Sequence, residues 1–319
     1  IVDMDKGPNG FRGMLDTITP IADKMRDDTV EVNVAGLPSF LSRIEIFSER
    51  GVTTYFIYAI ILVGLILFEA FRSFQGMFLP LLTAILATLW GFGIMGMSGV
   101  PMDVFNSSTP ILILAVAAGH AVQLLKRYYE EYHHMRDTTS LTPKEANHAA
   151  VVSSVTKVGP VMLTAGGVAA LGFFSLMVFE IVSVRTFGIF TGIGIVSAMI
   201  IEMTFMPALR SLLPAPGKLE QKGSEKNRFW DSITGAIANL VTGPNRRNLF
   251  IATAVLMAIS FVGMSRVVVD SATKSFFSDD FDFKKDDKIL NERLGGTNTL
   301  NLLVEGTVAD VIKDPRVLK

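Results

Sequence analysis

Long apolar runs alternate with short charged ones along this chain, and the runs have the length of membrane spans rather than of core helices. Between Val52 and Leu125 the only charged residues are Glu69, Arg72 and Asp103; between Val158 and Leu209 they are Glu180, Arg185 and Glu202. A bilayer core about 30 Å thick is crossed by about 20 apolar helical residues. Six segments reach that length within a few residues: Thr53–Phe71, Met77–Met97, Ser108–Leu125, Val158–Phe179, Thr186–Leu209 and Leu249–Ser265. Charge, Pro or Gly bounds each of them, as is usual for a span.

The flanks carry other periods. Apolar residues recur near helical spacing over Phe11–Arg26, whereas Val30-Glu31-Val32-Asn33-Val34 alternates and predicts a half-exposed strand. Gly36-Leu37-Pro38 breaks that strand, and a short helix from Ser39 leads toward the first span. Phe229, Trp230, Ile233, Ile237 and Leu240 share one face of a helix at Phe229–Leu240. That face suits a helix lying on the inner leaflet or a linker helix against the bundle. Beyond Arg266, residues 279–292 read as loop then helix, Thr299–Glu305 as a strand and Val308–Lys319 as a helix. The fold class that follows is an α-helical polytopic membrane protein with six transmembrane helices and partial α/β segments at both ends.

Composition narrows the function classes. Half of the 319 residues are hydrophobic and 18% are charged, with a mean hydropathy of +0.43, which excludes a disordered chain. The lack of cysteine excludes a disulfide-stapled secreted domain, and the net charge of −1 excludes a basic nucleic-acid binder. Twelve Lys/Arg crowd two connections: Lys126, Arg127, Arg136, Lys144 and Lys157 after the third span, and Arg210, Lys218, Lys222, Lys226, Arg228, Arg246 and Arg247 after the fifth. The positive-inside rule makes both cytoplasmic, so that both termini of the chain lie on the extracytoplasmic side. No secretory leader pattern is visible, and Ile1 stands where an initiator Met would.

Several stretches together resemble the resistance–nodulation–division (RND) superfamily of exporters, particularly its hydrophobe/amphiphile and lipid-exporting branch. Phe71-Arg72-Ser73-Phe74-Gln75-Gly76 with Leu79-Pro80-Leu81-Leu82 is similar to the tight turn between the family's second and third spans. Gly119-His120-Ala121-Val122-Gln123, running into Lys126-Arg127-Tyr128-Tyr129-Glu130-Glu131, resembles its fourth span and the exit from it. Phe276-Phe277 and Leu294-Gly295-Gly296-Thr297-Asn298-Thr299-Leu300 resemble the opening of its second extracytoplasmic domain. These stretches are collinear over nearly the whole chain.

The resemblance implies a division of the chain. Residues 1–50 would end a first, ferredoxin-like extracytoplasmic porter domain, and 51–213 would form a five-helix bundle similar to sterol-sensing domains. Residues 214–248 would be a cytoplasmic linker, 249–266 the first helix of a second transmembrane half, and 267–319 the start of a second porter domain. The chain would then be the central part of a protein more than twice as long. It would sit in a bacterial inner (plasma) membrane and export a hydrophobic or amphiphilic substrate against protons. The implied partners are membrane lipids, that substrate, protons, the second half of the same protein and, in a homo-oligomer, further copies of the chain. A competing reading is a lipid- or sterol-sensing module that binds lipid without transport. A third, a protein-translocation accessory, would be expected to carry acidic residues in the fourth span, which this chain lacks.

Proton coupling directs attention to ionisable groups inside spans, which are costly at mid-bilayer and functional by default. His120 lies seven residues before Arg127 and Glu202 eight before Arg210, so both sit roughly 10–12 Å inside the same boundary. Thr164, six residues into its span, falls at about the same layer. His120, Glu202 and Thr164 are therefore candidates for a proton relay, imidazole ordinarily titrating near neutrality. The structural alternatives are that His120 bonds a neighbouring carbonyl and that Glu202 snorkels toward Arg210. The lipid exporters' Asp-Tyr pair would fall on Gly119 and His120, so the acidic member is replaced. Gly166, Gly167, Gly188 and Gly192, with Gly194 nearby, suit close helix packing. His133-His134 lacks a ligand set for a metal, Gly295-Gly296 lacks the Lys-Ser/Thr of a phosphate loop, and no nucleophile triad appears. Neither enzymatic activity nor a cofactor or metal is expected.

Overall fold

The computed structural model describes residues 10–26, 30, 32–217, 228–244, 246–268 and 281–294. Its helices are α1 (Gly10–Met25), α2 (Leu37–Phe71), α3 (Phe74–Met97), α4 (Thr109–Thr138), α5 (Pro143–Phe174), α6 (Val182–Leu212), α7 (Arg228–Thr242), α8 (Arg246–Met264) and α9 (Asp282–Leu294). Short 3-10 turns, Asn106–Ser108 and Ser175–Val178, precede α4 and follow α5. Among the described residues, six helices are long and apolar enough to cross a membrane: α2 to α6 and α8.

Several of these helices run well beyond their apolar spans. The third span ends at Leu125 by hydropathy, yet α4 continues to Thr138, and α5 starts at Pro143 rather than near Val158. Most of the expected loop is thus helix. Arg127 and Glu131 stand i,i+4 on α4 with a 2.6 Å ion pair, a spacing that supports helix in water. A capping box starts α5: the Thr142 hydroxyl accepts from the Glu145 N–H, and the Glu145 carboxylate accepts from the Thr142 N–H. Similarly, α2 is one continuous helix of 35 residues from Leu37 rather than a short helix followed by a span.

The link from α2 to α3 is tight. Arg72 takes a left-handed backbone (φ 47°), Glu69 pairs with it at 2.7 Å, and Ser73 caps α3 by accepting from the Gly76 N–H. A Cβ at Gly76 would lie 2.5 Å from Phe71 Cβ and 2.6 Å from Ser73 Oγ. Glycine is needed there because the chain folds back within three residues.

The chain divides into two compact units, Phe47–Val268 and Ile1–Ile46 with Val269–Lys319. In the first, α4 is the central helix and packs against α3, α5 and α6. Small residues permit this: Ala117, Ala118 and Ala121 on α4, Ala84 and Ala87 on α3 and Ala198 on α6 are all buried. Toward the basic end the core becomes aromatic, with Phe71, Tyr128, Tyr129 and Tyr132 interleaved. By contrast, the apolar residues of α8 from Phe250 to Met264 are exposed, as are Ile233, Ile237 and Leu240 of α7.

In the second unit, the α/β expectation is not supported among the described residues. Val30 forms an isolated bridge and residues 32–35 have no regular structure. Two side-chain hydrogen bonds reach this stretch of backbone: Arg26 donates to the Val32 carbonyl at 2.8 Å and the Val34 N–H donates to Asp286 at 3.3 Å. The strand expected at Thr299–Glu305 and the helix at Val308–Lys319 lie outside the described residues.

Candidate proton site in the helix bundle

The seam between α4 and α6 carries polar pairs at three levels. At the end away from the basic loops, Asn106 Nδ2 donates to Thr186 Oγ1 at 3.1 Å, and the Thr109 and Thr191 hydroxyls lie 3.2 Å apart in a buried contact. Below them the seam is apolar and very close. Ile113 packs over Gly194, and a Cβ at Gly91 would lie 3.0 Å from both Gly194 Cα and Ile113 Cδ1. Ala117 and Ala198 continue this dry layer with no exposed surface.

One turn further, His120 Nδ1 lies 3.3 Å from Glu202 Oε2. His120 is 9% exposed and Glu202 0%. That separation is within reach of an ion pair, but the geometry of the imidazole and carboxylate does not align them as a hydrogen bond. His120 Nδ1 and both carboxylate oxygens are consequently without a hydrogen-bond partner among the described residues. Gly166 of α5 completes the wall: a Cβ there would lie 3.1 Å from His120 Cε1 and would overlap Met199. Chemically, such a pair has an unloaded state, neutral imidazole beside carboxylate, and a state loaded with one proton, imidazolium beside carboxylate or imidazole beside carboxylic acid.

Thr164 does not join this pair. Its side chain is exposed, donates to the Pro160 carbonyl one turn back, and lines an open groove on the outer face of α5 with Val161, Ala165 and Val168. Depth placed it at the right level, but the α5 face toward His120 is occupied by Gly166. Nor does Glu202 snorkel to Arg210, which turns to the third polar level. There Arg210 Nη2 donates to Tyr128 Oη at 2.7 Å, and the guanidinium also lies over the Tyr128 ring. Arg210 further donates to Gln75 Oε1 and the Pro214 carbonyl, and the Tyr128 hydroxyl donates to Asn147 Oδ1 at 2.5 Å.

Of the glycines singled out for packing, Gly188 faces Phe173 O at 2.5 Å and Gly192 faces the Phe174 ring at 2.6 Å, measured from a built Cβ. Gly167 has no neighbour within 4 Å among the described residues. The same residues contain no group of His, Asp or Glu gathered as a metal site.

Comparison with known proteins places this bundle. The match to the MMPL family runs over residues 3–240, well over half of the chain. The chain belongs to the MMPL family. Among similar proteins, MJ1562 of Methanocaldococcus jannaschii, described as a membrane protein, is 24% identical over 180 residues, covering 56% of this chain and 44% of that protein. MmpL8 of Mycobacterium bovis, described as a transport protein, is 22% identical over 246 residues, covering 76% of this chain and 22% of that protein. The MMPL chain therefore spans less than half the length of the first and about a fifth of the second. With six apolar helices and this family, it is a multi-pass membrane protein of RND type.

Two polar clusters of this MMPL bundle escape sequence reasoning. Tyr128, Asn147, Gln75 and Arg210 come from four helices, and nothing local in any of them signals the others. Buried Glu131 likewise joins Arg127 on its own helix, at spacing the sequence shows, to Lys157 Nζ at 2.7 Å and Ser153 Oγ at 2.7 Å on α5. The charges after the third span read as a basic cytoplasmic connection, whereas among them Arg127, Glu131 and Lys157 fasten α4 to α5.

Proposed function

We propose that this chain is part of a proton-motive-force-driven secondary transporter that exports hydrophobic or amphiphilic, lipid-like substrates across the inner membrane, with His120 and Glu202 as the proton-carrying pair. The observation that carries the reading is the wholly buried Glu202 carboxylate, which has no hydrogen-bond partner among the described residues and has the His120 imidazole 3.3 Å away. A carboxylate buried for structure is normally held by hydrogen bonds, because an uncompensated charge away from water is costly. A carboxylate left beside a titratable base can take up a proton and pass it on, and coupling to a gradient needs both steps. Membership of the MMPL family, and the description of MmpL8 as a transport protein, support extending transport to this chain.

In this reading the basic connections face the cytoplasm. Thr139→Cys, between α4 and α5, should resist an impermeant thiol reagent in intact cells, while Met102→Cys, between α3 and α4, should label. The opposite pattern would reverse the orientation.

The direct test is export by the full-length protein in proteoliposomes. An imposed pH gradient, acidic on the extracytoplasmic side, should drive lipid-like substrate across without nucleotide, and a protonophore should stop it. Substrate binding without gradient-driven movement would refute export and leave a lipid-sensing module in its place.

A further inference from the structure

The Arg210 cluster closes the basic end of the α4–α6 seam. Arg210 is 2% exposed, and its hydrogen-bond partners, Tyr128, Gln75 and the Pro214 carbonyl, are all uncharged. Buried guanidinium groups are ordinarily neutralised by a carboxylate; here the charge stays uncompensated among the described residues. The Arg210 Nε–H also lacks a partner there. Asn147 extends the clamp by accepting from Tyr128 and donating to the Leu213 carbonyl. One point thus ties together α3, α4, α5, α6 and the chain just beyond α6.

A cavity of about 10 Å³, about the room one water needs, adjoins this clamp and is lined by Leu124, Met206, Val151, Ser154, Tyr128 and Arg210. Its position follows from the helix repeat. Leu124 is midway between His120 and Tyr128 on α4, as Met206 is midway between Glu202 and Arg210 on α6. The cavity therefore lies against the cationic clamp on its side toward the His–Glu pair, with Leu124 and Met206, one helical turn or roughly 6 Å along the axes from the pair, between the two.

We propose that Arg210 and Tyr128 form the gate of the proton route at the basic end, closing a cavity that binds a single water. The proposal rests on the reading of His120 and Glu202 as proton carriers. With the clamp shut, Leu124 and Met206 break any water chain to the pair, and the fixed positive charge repels hydronium from that side. When the Arg210–Tyr128 bond opens, water reaches the pair and accepts its proton: an N–H or O–H bond of the pair breaks, a new O–H bond forms, and hydronium leaves. Arg210 and Tyr128 are positioning residues in this step, since neither exchanges the proton.

The test uses the full-length protein in liposomes with a trapped pH-sensitive dye, an imposed pH gradient and no transport substrate. Arg210→Gln and Tyr128→Phe should each raise passive proton flux by at least about tenfold, the factor that loss of one hydrogen bond to a charged group produces. Adding His120→Gln to either should return the flux to the wild-type level. Tyr128→Phe keeps the ring beneath the guanidinium, so it decides the matter alone where Arg210→Gln fails to insert. Gate variants no leakier than wild type would overturn the gate; loss of export in His120→Gln alone would then leave the proton-pair reading standing. A leak that His120→Gln leaves unchanged bypasses the pair and overturns both.

Discussion

His120→Gln should abolish gradient-driven export by the full-length protein while leaving expression and membrane insertion intact. Gln keeps a hydrogen-bonding group and approximate bulk in a pocket bounded by Gly166, Met199 and Glu202. A histidine present only for structure should therefore tolerate the change with a loss of about 1 kcal/mol or less, the usual net worth of one hydrogen bond. A proton carrier should not tolerate it at any pH, because the amide does not titrate. Glu202→Gln should be as severe for export yet neutral or stabilising for the fold by about 1–3 kcal/mol, since it removes a buried charge that lacks hydrogen bonds. Export assays across external pH of roughly 5.5–8, bracketing the ordinary imidazole value of about 6.5, check the first variant; thermal unfolding in detergent checks the second. Normal export by His120→Gln throughout that range would remove the pair from the mechanism.

Gly194→Val should cost the bundle about 1–3 kcal/mol or more and sharply lower the yield of folded protein, as overpacking of a tight core does. Its Cβ would overlap the Ile113 side chain, whose Cγ1 lies only 2.6 Å from that position, and α3 leaves little room for retreat, since even a Cβ added at Gly91 would lie 3.0 Å from Gly194 Cα. Ile113→Ala creates space at the same contact, so the double variant should regain much of the lost stability. Residues that share a contact couple in this way, whereas distant ones add independently. Thermal unfolding of the four proteins of this cycle measures the coupling. A Gly194→Val protein as stable as wild type, or a double variant no better than the sum of the two single changes, would mean that α4 and α6 do not close on each other here.

The sequence by itself determined the six spans, and it set the expected basic face and the expected depth of each ionisable group. All three follow from quantities that add up along a chain: apolar length, charge count and rise per residue. His120 and Glu202 could be named together for that reason, being equally far from the basic residues that end their helices. Depth does not specify direction, however. Thr164 shares the level yet looks outward from α5, and only the approach of Gly166 to His120 shows which face of α5 the bundle chose. Helix ends were legible only as ends of apolar runs, so the capped and ion-paired extensions of α4 and α5 read as loop. The alternation at Val30–Val34 predicted a strand, whereas the described residues there show only a bridge at Val30 and hydrogen bonds from Arg26 and to Asp286. Tertiary structure alone decided the Arg210–Tyr128–Asn147 clamp and the Lys157–Glu131 tie. Each joins residues on separate helices, and such meetings depend on the rotation of every helix about its own axis, which packing sets and no local pattern records.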